Sequence, residues 1–263
     1  MNKYLRTVQL SWQEGLVYRT NLIMWRVRQI LGSLMSLSLW TVLFSKNSQL
    51  FGYSQDQMIT YVFIVALLQS VILATALHGI SGYIYRGQLA RELLKPIKLF
   101  TYFASLDLAD KLKNLFFVLV ESVFLYLIFQ PVLSLPNPIF GLIFLIWVVA
   151  GTIINFLITL LFGAIGFWSP DAWGPKFLFF MIVDFTAGKL FPLDILPKIV
   201  QQLIYLTPFP YLSYAQTQLF LGKMSNAEIL TGSLGLIFWI FILYMLTTRI
   251  WRRGTKNYEA IGN

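Results

Sequence analysis

Of 263 residues, 57% are apolar and only 12% charged, against about 25% charged in an ordinary soluble domain, and the mean hydropathy is +0.70. With no cysteine, disulfides and thiolate metal sites are excluded, and a single histidine, His78, leaves little material for a metal centre or a Ser/His triad. The formal net charge is +9, and in so apolar a chain basic residues mark the cytoplasmic side of a membrane rather than a nucleic-acid surface.

The composition therefore specifies an all-α integral membrane protein, read as one transmembrane domain over residues 1–263. Residues 1–20 predict an interfacial helix: Tyr4, Leu5, Val8, Trp12 and Leu16 share one face, with Arg6, Gln9 and Gln13 turned away from it. This segment has no short apolar core followed by small residues, so it does not read as a cleavable signal peptide. A helix needs about 20 apolar residues to cross roughly 30 Å of hydrocarbon. Six stretches meet that need, at about 23–44, 58–79, 114–133, 139–167, 176–193 and 228–248, and none shows the two-residue alternation of a barrel strand.

Between the fifth and sixth spans, residues 188–225 are cut by Pro192, Pro197, Pro208 and Pro210 into apolar pieces of about a dozen residues. Pieces of that length read as half-helices, and broken backbone is tolerated in lipid only where protein or a watery cavity satisfies it. The segment is expected to be an external re-entrant helical hairpin. With both termini cytoplasmic, six spans place sixteen Lys and Arg inside and four (Lys46, Lys189, Lys198 and Lys223) outside. A full crossing by the hairpin would weaken that positive-inside bias.

The cytoplasmic loop, residues 80–113, contains "GYIYRGQLARELLKPIKLF" at 82–100. Leu89 and Leu93 at i, i+4, with Leu94 beside them, form an apolar face; Arg86, Gln88, Arg91, Glu92 and Lys95 form the other. Pro96 ends the helix. Two readings fit: a snorkelling interfacial loop, or a docking helix for a soluble partner. The G-x-x-x-x-G-K-[ST] nucleotide loop does not occur, since Gly188-Lys189 and Gly222-Lys223 lack its other residues; any ATP dependence must come from another chain.

Charge inside the spans is costly and is by default functional. Arg26 and Arg28 lie near the start of span one, Glu121 about two turns into span three, and Asp184 in span five. Glu121 is expected to pair with Arg28 or Arg26, or else to face a water-filled path. "LFGAIG" (Gly163, Gly166) and "TGSLG" (Gly232, Gly235) offer close backbone approach between helices.

The order of these features resembles the ABC-2-type permeases of bacterial ABC exporters. The resemblance rests on "YRTNL" entering span one, the loop motif Gly87 to Pro96, "AGKLFPLDILPKIVQQLIYLTPFPYL" after span five, and "RIWRRGTKNYEAIG" at the end. It implies a multi-pass protein of the bacterial plasma membrane in which two permeases, identical or related, form a pathway and each docks a cytoplasmic ABC ATPase. ATP and magnesium would be bound by that partner, not by this chain. The resemblance assigns ATPase coupling to Gly87, Leu89, Arg91, Glu92, Leu93 and Pro96, with Leu89 and Leu93 expected to dock and Arg91 and Glu92 to set orientation. It assigns an external gate to the hairpin that carries Phe191, Pro192, Pro197 and Pro208. The expected function is export of a lipid-like, glycolipid or amphipathic drug substrate.

Two rival functions compete. A self-sufficient ion-driven secondary transporter would use Glu121 or Asp184, although no internal repeat is evident. An intramembrane enzyme would need a motif such as H-E-x-x-H or a nucleophile elbow, and neither is present.

Overall fold

The computed structural model describes residues 3–17, 19–46, 49–133, 137–170, 172–256 and 258. It is built from eleven α-helices among these residues: α1 (Lys3–Val17), α2 (Arg19–Phe44), α3 (Gln55–Ile72), α4 (Ile80–Tyr85), α5 (Leu89–Leu93), α6 (Leu99–Phe129), α7 (Pro138–Gly163), α8 (Trp173–Thr186), α9 (Lys198–Tyr205), α10 (Tyr214–Phe220) and α11 (Asn226–Lys256). A two-residue antiparallel ribbon, β1 (Gln49–Leu50) with β2 (Tyr53–Ser54), joins α2 to α3. Five helical stretches are long and apolar enough to cross a membrane: Ile23–Phe44, Gln55–Ile72, Leu99–Phe129, Pro138–Phe167 and Asn226–Lys256.

Local chemistry fixes several boundaries. Ser54 opens α3 with a capping box: its hydroxyl accepts from the Gln57 N–H while the Gln57 side chain accepts from the Ser54 N–H, both at 3.3 Å. Asn137 caps α7, and Pro138 supplies a first residue whose missing N–H costs nothing there. Helix α6 merges the expected third span with the amphipathic piece before it. Its 31 residues reach about 46 Å, well beyond the ~30 Å hydrocarbon thickness.

Helix α3 is the centre of the bundle. Its crossing window is 72% buried, whereas those of the other four lie between 17% and 33%. It packs against α2, α6, α7 and α10, while α11 lies along α7. At the seam between α7 and α11, Trp147 fills the space over Gly232, and its indole N–H donates to Ser233 at 3.1 Å. The expected N-terminal helix is present and lies along α6, where Lys113 Nζ reaches the Ser11 carbonyl at 3.5 Å.

Both ends of the described chain meet the same end of the bundle. The Lys98 N–H donates to the Tyr4 hydroxyl (3.2 Å), and the Tyr258 hydroxyl donates to the Ile84 carbonyl (2.9 Å). This is the loop end; β1, β2, α9 and α10 occupy the opposite, hairpin end.

The stretch at 176–193 departs from expectation. Helix α8 has 14 residues, about 21 Å, and is not among the five long apolar stretches. It stops because Gly188 turns the chain into the left-handed region at φ 75°, and the turn is fixed from outside: Ser213 Oγ donates to Ala187 O and the Tyr61 hydroxyl to Gly188 O, both at 2.6 Å. The following segment is more finely broken than two half-helices. It contains a 3-10 turn at Leu193–Ile195, the eight-residue α9, a second 3-10 turn at Phe209–Leu212 and the seven-residue α10. Pro197 and Pro208 stand at the N-caps of α9 and the second turn. Helix α10 is buried from Tyr214 to Leu219, whereas much of α9 is exposed.

Candidate functional site

The loop motif folds into two short helices around one glycine. In α4 the Gly87 N–H donates to Ile84 O (3.0 Å) and the Gln88 N–H to Tyr83 O (3.2 Å), the paired bonds of a Schellman stop. That turn requires the left-handed conformation, and Gly87 adopts φ 76°. The chain re-enters helix at once as α5, and Pro96 precludes its continuation into α6.

Beneath the two helices lies a separate apolar core made by Leu77, Ile80, Ile84, Leu89, Phe103, Leu160, Ala164 and Trp251. Trp251 sits among Phe100, Phe103 and Phe167, with ring centroids 5.3–5.9 Å away, and its indole N–H donates to Leu160 O at 2.9 Å. The terminal motif therefore has a defined role: Trp251 and Tyr258 pin the loop to the ends of α7 and α11. On another side, α4 lies so close to the 3-10 extension of α7 that a Cβ at Gly166 would collide with the Ser81 backbone. This is the close approach expected of "LFGAIG", and its partner is α4.

The expected docking face is divided. Leu89 is fully buried, whereas Leu93 is 42% and Leu94 88% exposed. Leu89 therefore does not share an outward face with Leu93: the Schellman turn rotates the start of α5 inward, onto Ile84 and Trp251. Glu92 also points inward. Its carboxylate accepts from Lys95 Nζ (2.7 Å), the Tyr83 hydroxyl (3.1 Å) and Arg91 Nε (3.2 Å). Burial pushes its pKa up, but the bonds from Lys95, Tyr83 and Arg91 outweigh it and hold the group below its ordinary value. The outward surface includes Tyr85, Arg86, Gln88, Arg91, Leu93, Leu94, Lys95 and Pro96. Sequence reasoning missed Trp251 and Tyr258 because their partners lie 91 and 174 residues away, and missed Tyr83 because its bond to Glu92 depends on how the Gly87 turn folds α5 back on α4.

Of the four charged residues singled out within the expected spans, Glu121 lies with Arg26, Oε2 to Nη1 at 3.9 Å, and its Oε1 accepts from Ser33 at 3.3 Å. Arg26 also lies over the Phe117 ring, and Arg28 turns instead onto Trp25, 5.1 Å from its ring centre. Asp184 receives Lys189 Nζ on both oxygens at 3.0 Å.

At the hairpin end, Pro192 and Pro208 are buried, Pro197 is exposed, and Phe191 packs edge-on to Phe185. The pivotal residue there, also missed in the sequence, is Tyr53. Its hydroxyl donates to Asp194 (2.8 Å) and accepts from Gln218 (2.7 Å), and Lys223 Nζ lies 3.1 Å above its ring centre. One side chain thus ties the β1–β2 ribbon to both limbs of the hairpin.

A family model described as "ABC-2 family transporter protein" matches residues 30–262, from the fourth turn of α2 onward. No curated protein matches the chain.

Proposed function

The chain belongs to the ABC-2 family of transporter proteins, and we propose that it is the membrane-spanning permease subunit of an ATP-driven exporter, coupled to a separate ABC ATPase through α4 and α5. The observation that carries this reading is the construction of the loop. A surface bearing Leu93 and Leu94, rimmed by Arg86, Arg91 and Lys95, is held on an aromatic core that reaches α6, α7 and α11. A snorkelling loop needs no such foundation; a surface that receives force does.

In this reading the loop end is cytoplasmic in a bacterial plasma membrane, with both termini there. α8 makes the sixth crossing, and residues 188–225 close the pathway on the outer side. A chain that starts and finishes at one end of the bundle needs an even number of crossings. The five long stretches leave residues 168–225 to make one more. Two permeases, identical or related, line the pathway, and the partner ATPases bind ATP and magnesium. Apolar, aromatic helix faces suit a lipid-like, glycolipid or amphipathic drug substrate. The residues assigned to coupling divide by role: Leu89, Glu92 and Gly87 shape the loop, while Leu93, Arg91 and Pro96 present it. Phe191, Pro192, Pro197 and Pro208 shape the external gate. The basic partners of Glu121 and Asp184 favour this reading over an ion-driven carrier, whose sites need carboxylates free to exchange a proton or ion.

Copurification with an ABC ATPase in mild detergent tests the proposal. Leu94→Asp and Leu93→Asp should each lower ATPase association and its stimulation at least tenfold while the permease remains folded. Unchanged association and stimulation in both variants would refute docking at this surface.

A further inference from the structure

The α3–α4 connector is held at its two ends by lysines from different helices. At the α3 end, Lys111 of α6 donates to the Ala74 carbonyl at 2.7 Å and pairs with Asp107 at 2.9 Å. At the α4 end, Lys176 of α8 donates to the His78 carbonyl (2.9 Å) and to Ser81 Oγ (2.8 Å), and the His78 ring packs against Phe180 (5.9 Å). Between α4 and the first turns of α6 there is instead a cavity of about 540 Å³, bordered by Ser81, Tyr83, Arg86, Tyr102 and Phe103. Around α4 there is therefore open space toward α6, close packing on the 3-10 extension of α7 at Gly166, and a direct bond toward α8.

Helix α8 is tied in the same manner at its far end, where Tyr61 and Ser213 bond the carbonyls of Gly188 and Ala187. Twelve residues separate Lys176 from Gly188, a length of about 18 Å. Of α8's side chains only Val183 is buried, and Phe179 alone packs closely on the core, against Phe162 and Phe209 with ring centroids at 4.3 and 5.5 Å, so few contacts along its length resist a shift along its axis. A rod bonded at both ends and loosely packed along its sides transmits displacement.

We infer that Lys176 is a positioning residue for coupling: it fastens α8 to α4, so that displacement of the loop travels along α8 to the hairpin at the opposite end. The inference rests on the coupling role proposed above for α4 and α5. Lysine suits the position because its ammonium carries three donors, of which the His78 carbonyl takes one and Ser81 Oγ in α4 another, on a stem long enough to reach from the first turn of α8.

The test uses the permease with its ATPase in lipid nanodiscs. The native chain has no cysteine, so Ile199→Cys on the exposed side of α9 gives a single site for a spin label. In the otherwise native complex, ATP should change the label's spectrum. Lys176→Met should retain ATPase binding and ATP turnover within about twofold, abolish the ATP-dependent change at α9, and lower transport at least tenfold; Lys176→Arg should restore part of the response. Tyr61→Phe, which removes the bond at the far end of α8, should reproduce the Lys176→Met result. A normal label response in both Lys176→Met and Tyr61→Phe overturns the inference. So does loss of ATPase binding in Lys176→Met that Lys176→Arg fails to restore, since Lys176 would then only support the fold. A complex that binds ATPase but shows no ATP response at α9 also overturns it. Failure of the native chain to bind any ATPase overturns the coupling reading beneath it.

Discussion

Leu89 and Leu94 differ by five positions and belong to different parts of the molecule. Removing the Leu89 side chain empties a site between Ile84, Phe103 and Trp251, and Leu→Ala changes of that kind cost about 2–5 kcal/mol. Leu89→Ala should therefore lower the thermal unfolding midpoint in detergent, whereas Leu94→Ala, at 88% exposure, should leave it within a degree or two. Equal effects on stability would show that the two leucines are not divided as described. Glu121 and Arg26 call for a different test, because each is the other's main compensation in an apolar setting. Breaking a buried pair from one side costs about 3–5 kcal/mol, whereas replacing both partners with apolar residues is often neutral. Glu121→Met and Arg26→Met should each destabilise the fold, and the double variant should lose less than the sum. Strict additivity in a double-mutant cycle would count against the pairing.

Helix α5 shows what the sequence could and could not tell. The G-x-L-x-x-x-L-L-x-P pattern revealed a short helix bounded by Gly87 and Pro96, because both limits are local backbone chemistry. Which way that helix faces was not legible, since a single helical turn has almost no periodicity and the residues beneath it come from α6, α7 and α11. The anchoring of α5 also gives it a pH dependence. Glu92 has a depressed pKa, so the stability it contributes is present above the ordinary carboxylate value of 4.5 and is lost as pH falls below it through the native value. Amide exchange in residues 83–95, normalised for its intrinsic pH dependence, should accelerate on acidification toward pH 3, and Glu92→Gln should remove that pH dependence. An unchanged profile in Glu92→Gln would assign the effect elsewhere. Helix α8 illustrates a second limit: 176–193 is apolar enough for a span, yet the helix ends at Thr186 because Gly188 turns the chain at φ 75°, a turn held by Tyr61 and Ser213 from other elements. No window of hydropathy records that turn.

For the molecule as a whole, the helical class and most of the spans were legible because hydropathy over about 20 residues is a bulk property. The same is not true of the tie made by Tyr53, whose partners Asp194 and Gln218 are 141 and 165 residues away. Tyr53→Phe keeps the ring beneath Lys223 but severs both hydroxyl bonds. It should increase proteolytic cleavage in residues 190–206 several-fold, without comparable change in α7 or α11; uniform change throughout would indicate general loosening.

The shortness of α8 sets a relation between this protein and the thickness of its bilayer. In the six-crossing reading proposed above, about 21 Å of α8 set beside ~30 Å of hydrocarbon leaves several ångströms of mismatch on one flank, where Phe177, Leu178, Met181, Ile182 and Phe185 are exposed. The long α6 and α11 can tilt to suit a thinner membrane, but α8 cannot lengthen to suit a thicker one. The lipid would therefore dimple beside α8, and amphiphiles that relieve such a dimple would gather there. In vesicles of increasing acyl-chain length, transport should decline as the membrane thickens.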